Sequence, residues 1–433
     1  MKRVLLAFLV AGLALALAAV VWQLNLQGED KIRDLPAPPA PTAQQVERGA
    51  YLARVGNCMT CHTARGAAAY AGGRAVDTPF GPVYSSNLTS DADTGIGRWT
   101  ADHFWRALHH GRSRDGRLLY PAFPYPNYTL ASRTDSDAIF AFLRSQPAVR
   151  QPNQPHGLRW PFSTQAALAV WRALYFRPAT YTPDPRQTGQ WNRGAYLVEG
   201  LGHCSACHTP RNALGASAAM TGLSGGLIPM QNWYAPALNT PLEGGVAEWQ
   251  TEHVVQLLQT GIAPGASVLG PMAEVVLNST QHWSVDDLRA MAVFLQALPQ
   301  APVPAARRTQ SSQQPISALD GERHLRGARI YERQCAQCHG DSGRGVPGAY
   351  PALAGNRAVL MPQSANLVQI VLHGGFAPST AGNPRPFGMP PYLLQLSDAE
   401  VAAVLTHIRG SWGNQAPAVT ELEVNRQRAG VSQ

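Results

Sequence analysis

Apolar residues form one unbroken run near the start of the chain, from Val4 through Val21, with Trp22 after it and no charge until Glu29. The run is longer than the apolar stretch of most cleaved signals and approaches the roughly 20 residues that span a bilayer. Lys2 and Arg3 precede it, which sets the N-terminus in the cytoplasm and places Trp22 at the far interface. Ala16-Leu17-Ala18 offers a weak cleavage pattern inside the run, and a cleaved signal would export the remainder equally. Further along, apolar positions recur at helical spacing: Ile139, Phe142 and Leu143; Leu288, Met291 and Leu295; Val401, Val404, Leu405 and Ile408. A capping pattern opens each set: Thr134 with Asp137, Ser284 with Asp287, and Ser397 with Glu400. The run Ala166 to Tyr175, between Pro161 and Pro178, predicts an amphipathic helix that either packs between domains or meets the membrane or a partner subunit.

Composition narrows the class. With 45% hydrophobic and 14% charged residues the chain can bury cores but cannot be a polytopic membrane protein, and 40 Gly with 35 Pro imply small, loop-rich domains. The net charge of +8 comes without any Lys/Arg-rich run, and the only lysines are Lys2 and Lys31. This pattern argues against nucleic-acid binding.

All six cysteines fall in three copies of one pattern, which leaves none for disulfides: Cys58-Met59-Thr60-Cys61-His62, Cys204-Ser205-Ala206-Cys207-His208 and Cys335-Ala336-Gln337-Cys338-His339. A redox dithiol needs no following His, and a zinc site would recruit a second Cys or His pair at defined spacing. Cys-x-x-Cys-His is the pattern of covalent haem c attachment. The two thiols form thioethers to the haem vinyl groups, and the adjacent imidazole reaches the iron from one face. The predicted cofactor content is three covalently bound haem c groups, held by Cys58, Cys61, Cys204, Cys207, Cys335 and Cys338, with His62, His208 and His339 as axial ligands. Two propionates on each haem offset the basic residues, so the high pI of the polypeptide does not imply a basic holoprotein.

Upstream of each motif the sequence repeats as Arg48-Gly49-Ala50-Tyr51, Arg193-Gly194-Ala195-Tyr196, and Arg326-Gly327-Ala328 with Tyr331 following. Each reads as a helix ending near the first Cys. A Gly inside a helix costs about 1 kcal/mol against Ala, so its recurrence predicts close packing on another backbone, for which the C-terminal helix of each repeat is the candidate. The predicted layout is an anchor at 1–30, domains at 44–150, 187–298 and 319–413, linkers at 151–186 and 299–318, and a tail at 414–433 without strong periodicity.

With Ser86-Asn87-Leu88-Thr89, Thr94-Gly95-Ile96-Gly97 and Gly270-Pro271-Met272-Ala273-Glu274-Val275-Val276 added to the three haem motifs, nearly the whole chain resembles the triheme cytochrome c subunits of bacterial membrane-bound periplasmic dehydrogenases. Members of that family pair with alcohol, gluconate, aldehyde or nicotinate dehydrogenases. The resemblance implies a mostly α fold: three tandem class I cytochrome c domains after an N-terminal transmembrane helix.

A Met thioether commonly occupies the opposite axial position and raises the potential. Met389, within Gly388-Met389-Pro390-Pro391, lies 50 residues after His339, and Met272 lies 64 after His208 beside Pro271. Both are candidate ligands, whereas Met291 sits on a helix stripe as core filler. The first repeat has Phe123 at this place, within Tyr120-Pro121-Ala122-Phe123-Pro124-Tyr125, and no Met occurs between Met59 and Met220. Here the carry-over from the family fails. Three accounts stay open: His109 or His110 replaces Met, the haem is five-coordinate under Phe123, or a ligand arrives from another domain or subunit.

The expected function is electron relay from a dehydrogenase catalytic subunit to a membrane quinone or terminal oxidase, at the periplasmic face of the cytoplasmic membrane, with no substrate chemistry on this chain. The Tyr-Pro-Ala-Phe-Pro-Tyr variant looks like cytochromes paired with molybdenum hydroxylases, favoured slightly over quinoprotein or flavoprotein partners. The alternatives are a peroxidase-like multihaem enzyme with an open first haem, and a soluble electron carrier.

Overall fold

The computed structural model describes residues 2–26, 32, 41–217, 222–301 and 318–429. Strands among the described residues occur only as four short antiparallel pairs: β1 (Ala75–Val76) with β2 (Val83–Tyr84), β3 (Ser224–Leu227) with β4 (Tyr234–Ala237), β5 (Ile262–Ala263) with β6 (Ala266–Ser267), and β7 (Gly375–Phe376) with β8 (Gly388–Met389). Everything else is helix or loop, as the Gly and Pro content requires. Helix α1 (Lys2–Leu26) is apolar from Val4 through Trp22, and none of its most hydrophobic window is buried inside the protein. Its 25 residues, at about 1.5 Å each, are long enough to cross the roughly 30 Å core of a bilayer.

The chain divides into two compact units: Met1–Pro183 with Glu199–His203 and Arg211–Ala216, and Asp184–Val198 with Cys204–Pro210 and Ser217–Gln433. The first unit contains α2 (Ala43–Val55), α3 (Cys58–His62), α4 (Ala101–His110), α5 (Tyr125–Tyr128), α6 (Arg133–Ser145) and α7 (Gln165–Tyr175). After it come α8 (Gly189–Ala195), which continues into a π-helical turn at Tyr196–Leu201, then α9 (Ser205–His208), α10 (Thr251–Thr260), α11 (Pro271–Asn278) and α12 (Val285–Gln296). The last stretch carries α13 (Ala318–Gln334), α14 (Ala336–His339), α15 (Arg357–Leu360), α16 (Ala365–His373), α17 (Asp398–Gly410) and α18 (Glu421–Ala429).

One helix crossing recurs three times: α2 on α6, α8 on α12, and α13 on α17. The repeated Gly makes it possible. A Cβ on Gly49 would overlap the Ala138 carbonyl, one on Gly194 the Ala290 carbonyl, and one on Gly327 the Ala403 carbonyl. The preceding Arg clamps each crossing to an acidic residue in the first turn of the partner helix: Arg48 to Asp135 at 2.5 Å, Arg193 to Asp287 at 2.8 Å, and Arg326 to Glu400 at 3.5 Å. The expected stripes are buried, with Ile139, Leu143, Leu288, Met291, Val401, Val404 and Leu405 in the interior, while Ala138, Ala290 and Ala403 meet the glycines.

Two caps agree with the sequence and one does not. Ser284 accepts from the Asp287 amide, and Ser397 with Glu400 forms a reciprocal capping box. In the first repeat the cap is Ser132, accepting from the Asp135 amide, two residues before the expected Thr134. Asp137 instead pairs with Arg133 at 2.8 Å, an i,i+4 contact on the helix surface. The stretch after Trp412 folds back as α18 onto its own repeat, with Val424 buried and Arg428 bonded to Asp398 at 2.5 Å. Most of the 299–318 linker lies outside the described residues, and α13 begins at Ala318.

Candidate haem-attachment sites

Each Cys-x-x-Cys-His motif forms a short helical turn directly after the clamped helix: α3 follows α2, α9 follows α8 and its π turn, and α14 follows α13. The crossing therefore sets where the first Cys emerges. In the first repeat Asn57 turns the chain with a left-handed φ of 51°, which asparagine tolerates better than most residues.

The three histidines share one geometry. Nδ1 of His62 lies 2.7 Å from the Ser86 carbonyl, that of His208 is 2.7 Å from the Pro236 carbonyl, and that of His339 is 3.0 Å from the Pro351 carbonyl. A carbonyl can only accept, so Nδ1 must carry the proton and Nε2 keeps its lone pair for a metal. Burial, the larger influence, pulls all three imidazoles below their ordinary pKa, which favours this neutral ligating form. Sequence reasoning missed the acceptors because they are backbone atoms. A signal is present nonetheless, since each acceptor lies two residues before a leucine: Ser86 before Leu88, Pro236 before Leu238, and Pro351 before Leu353.

The acceptor segments are held in turn. The Asn87 side-chain amide donates to the Val149 carbonyl at 2.8 Å and to Thr94 Oγ1 at 3.0 Å, so the Ser86–Thr89 and Thr94–Gly97 motifs form one strap behind His62. In the second repeat Glu243 accepts from the Tyr234 hydroxyl at 2.9 Å and the Ala237 amide at 2.8 Å, fixing β4 around Pro236.

The first thiol of each motif is shifted in the direction opposite to an activated redox thiol. Burial, reinforced by the second Cys of each motif, pushes Cys58 and Cys204 up to about 12 and Cys335 up to about 11, whereas catalytic dithiols depress one thiol. No three His, Cys, Asp or Glu side chains among the described residues are grouped to hold a bare metal ion. Paired thiols beside an imidazole that presents only Nε2 fit a covalent haem c at each motif.

The opposite faces differ. Met389 lies on β8 opposite Gly375, and it packs on the same hydrophobic cluster as Cys335 and Ala336. Met272 is the second residue of α11, packed with Leu257 on a small cluster of Val268, Ala273 and Val276. Phe123 packs at a tilt 5.4 Å from Tyr128, whose hydroxyl donates to the Gly56 carbonyl at 2.7 Å, two residues before Cys58. His109 stacks on Trp105 at 4.2 Å with Nδ1 unpartnered, and His110 lies among Arg172, Arg112 and Arg106. Phe123 is thus linked through the Tyr128 ring to the backbone just before Cys58, and His110 lies among arginines.

Residues 325–412 match the cytochrome c family. The chain is 38% identical over 400 residues to the cytochrome c subunit of the alcohol dehydrogenase (quinone) of Gluconacetobacter polyoxogenes, covering 90% of this chain and 85% of that one. It is 38% identical over 387 residues to the gluconate 2-dehydrogenase cytochrome c subunit of Pantoea cypripedii, covering 86% and 87%. It is also 40% identical over 382 residues to one subunit of the nicotinate dehydrogenase of Pseudomonas putida, covering 87% of this chain and 31% of the longer relative.

Proposed function

Because the chain belongs to the family of cytochrome c subunits of dehydrogenases, we propose that it is the electron-transfer subunit of a membrane-bound periplasmic dehydrogenase and carries three haem c groups in three tandem cytochrome c domains. The observation that carries this reading is the threefold Nδ1-to-carbonyl geometry, which arms one imidazole beside every thiol pair. Covalent haem c supplies one-electron transfer without bond making to a substrate.

The chain's residues do the positioning. Cys58, Cys61, Cys204, Cys207, Cys335 and Cys338 would hold the groups as thioethers, His62, His208 and His339 would ligate iron through Nε2, and Met272 and Met389 would supply sulfur ligands in the second and third domains. Sites two and three lie on one compact unit. Within it the Tyr234 amide donates to Asn366 Oδ1 at 2.8 Å, and the Asn366 amide returns a 2.8 Å bond to the Tyr234 carbonyl. Arg357 also lies over the Trp249 ring at 5.1 Å. These ties hold the two sites at fixed separation, which a relay needs.

α1 anchors the chain, and its tie to the folded part through Asn25 supports retention of the segment. Electrons enter from a catalytic subunit and leave to a membrane quinone or terminal oxidase. Phe123 makes a molybdenum hydroxylase the first partner to test. It also supports a second reading, an open first haem that binds small ligands, although Tyr125 and Tyr128 pack that face with aromatic surface.

Mass spectrometry of the complex from mildly solubilised membranes tests the main reading. Co-purification with a dehydrogenase, three haem c masses on this chain and an intact N-terminus are expected. A chain recovered alone and reactive with peroxide would overturn the subunit reading in favour of the second.

A further inference from the structure

The C-terminal end of α1 is clamped to the first unit by one buried side chain. Asn25 Nδ2 donates both to the Val21 carbonyl of its own helix at 2.8 Å and to the Ala169 carbonyl of α7 at 2.9 Å. Its Oδ1 accepts from Arg172 Nε on α7 at 2.9 Å, and its main-chain carbonyl accepts from Arg112 at 3.0 Å. The middle of α7 is therefore level with the end of the membrane-length helix.

α7 is built unlike a helix that faces water. Its sequence, Gln165–Tyr175, contains one charged residue, Arg172, which is 3% exposed and turned inward with Leu168 and Ala173. The outward stripe at i, i+4 and i+8 is Ala166, Val170 and Leu174, all exposed, with Leu174 at 62%. Trp160, just upstream, is 82% exposed, and Trp22 on α1 is 70% exposed. A solvent-facing helix of this length normally carries charge on its outer face. Trp at two such points is the residue choice of a membrane interface.

From these placements we infer that the Ala166–Val170–Leu174 face of α7, with Trp160, lies in the headgroup and acyl boundary of the bilayer that α1 crosses. Asn25 lies three positions beyond Trp22, about 4.5 Å of helix. An amphipathic helix in this boundary sits roughly 5–10 Å deep, so a helix bonded to Asn25 arrives at the matching level. The first domain is then held against the membrane by two elements, and its orientation to the bilayer is fixed. The inference rests on α1 spanning the membrane.

The test uses the full haem-loaded chain in nanodiscs of phosphatidylcholine and phosphatidylglycerol. Val170→Cys, Leu174→Cys and, as a water-facing reference, Leu422→Cys each carry a nitroxide, and the unsubstituted chain controls for labelling of native thiols. Oxygen and a water-soluble nickel chelate serve as relaxation probes. At positions 170 and 174 the ratio of oxygen to nickel accessibility is expected to rise several-fold above that at position 422. A ratio equal to the reference would overturn the inference, as would shielding from both probes, which would mean that protein covers the face. Alkaline carbonate extraction of membranes keeps the two premises apart. Release of the chain would remove the anchor itself, whereas retention with water-facing labels would remove only the α7 contact.

Discussion

The first and third repeats share one half of their site and differ in the other. Both place an Arg-Gly pair against a partner helix, then a Cys-x-x-Cys-His turn, then a backbone carbonyl on the histidine Nδ1. On the opposite face, the third repeat presents Met389 on a strand pair, and the first presents Phe123 among Tyr125 and Tyr128. Covalent attachment demands a fixed thiol–thiol–imidazole geometry, so that half cannot drift. On the proposed assignment the other half would adjust potential and ligand access, so one scaffold would carry groups of different electronic character.

Removing the shared half should have the largest effect. Cys58→Ala with Cys61→Ala, and Cys335→Ala with Cys338→Ala, should each delete one covalent haem, seen by intact mass and haem staining after denaturation. If either double variant kept all three, the attachment assignment would fail at that repeat.

Exchange of the opposite faces comes next. Met389→Phe should lower the potential of the third site by on the order of 0.1 V, within the roughly 0.8 V that axial ligation spans, and should open it to carbon monoxide. Phe123→Met should raise the first potential and close any carbon monoxide binding there. Potentiometric titration with carbon monoxide difference spectra reads both, and an unchanged potential in Met389→Phe would remove Met389 from the iron.

Sequence carries the shared half further than the variable half, for physical reasons. The haem motifs are legible because covalent chemistry fixes their spacing. Gly49, Gly194 and Gly327 are legible because their helix-internal cost recurs, and the structure shows a carbonyl against each. The first cap is misplaced from sequence because Ser132-Arg133-Thr134-Asp135-Ser136-Asp137 contains two overlapping boxes, and Arg48 and Arg133 settle the choice by taking Asp135 and Asp137. α18 escapes a periodicity reading because only Val424 of its nine residues is buried, so no apolar period exists, and polar contacts such as Arg428 with Asp398 hold it. Phe123 is visible as an exception, but the ring contacts around it depend on the folded loop.

The helix crossings should be costly and equal in the two repeats. Gly49→Ala and Gly327→Ala each drive a Cβ into a carbonyl, and each should destabilise its repeat by about 3 kcal/mol, the upper part of the usual overpacking range. Gly321, on the same helix as Gly327, has nothing within 4 Å of a built Cβ. Gly321→Ala should therefore stabilise by up to about 1 kcal/mol through helix propensity. Denaturant unfolding of the holoprotein reads all three, and a mild Gly327→Ala would show that the third crossing can widen where the first cannot.

The smallest contrast lies in the same crossing. The side chain facing the helix glycine is Phe142 in the first repeat but His407 in the third. His407 packs at 4.7 Å from His324, with Tyr331 at 5.5 Å and Trp412 at 5.7 Å, and Ser411 Oγ lies 3.3 Å from its Nδ1. Burial first, and the neighbouring His324 second, pull its pKa from 6.5 down to about 4. A folded pKa below the unfolded one means that the unfolded chain binds the proton first. Stability is therefore complete above pH 6.5 and falls as the pH drops towards 4. Because His407 is only half-buried, solvent screening holds the loss to about 1 kcal/mol. Hydrogen-exchange protection of α13 and α17 should decline across this window. His407→Phe should remove most of that decline, and a third repeat that loosens as much in that variant would place the acid sensitivity on another group.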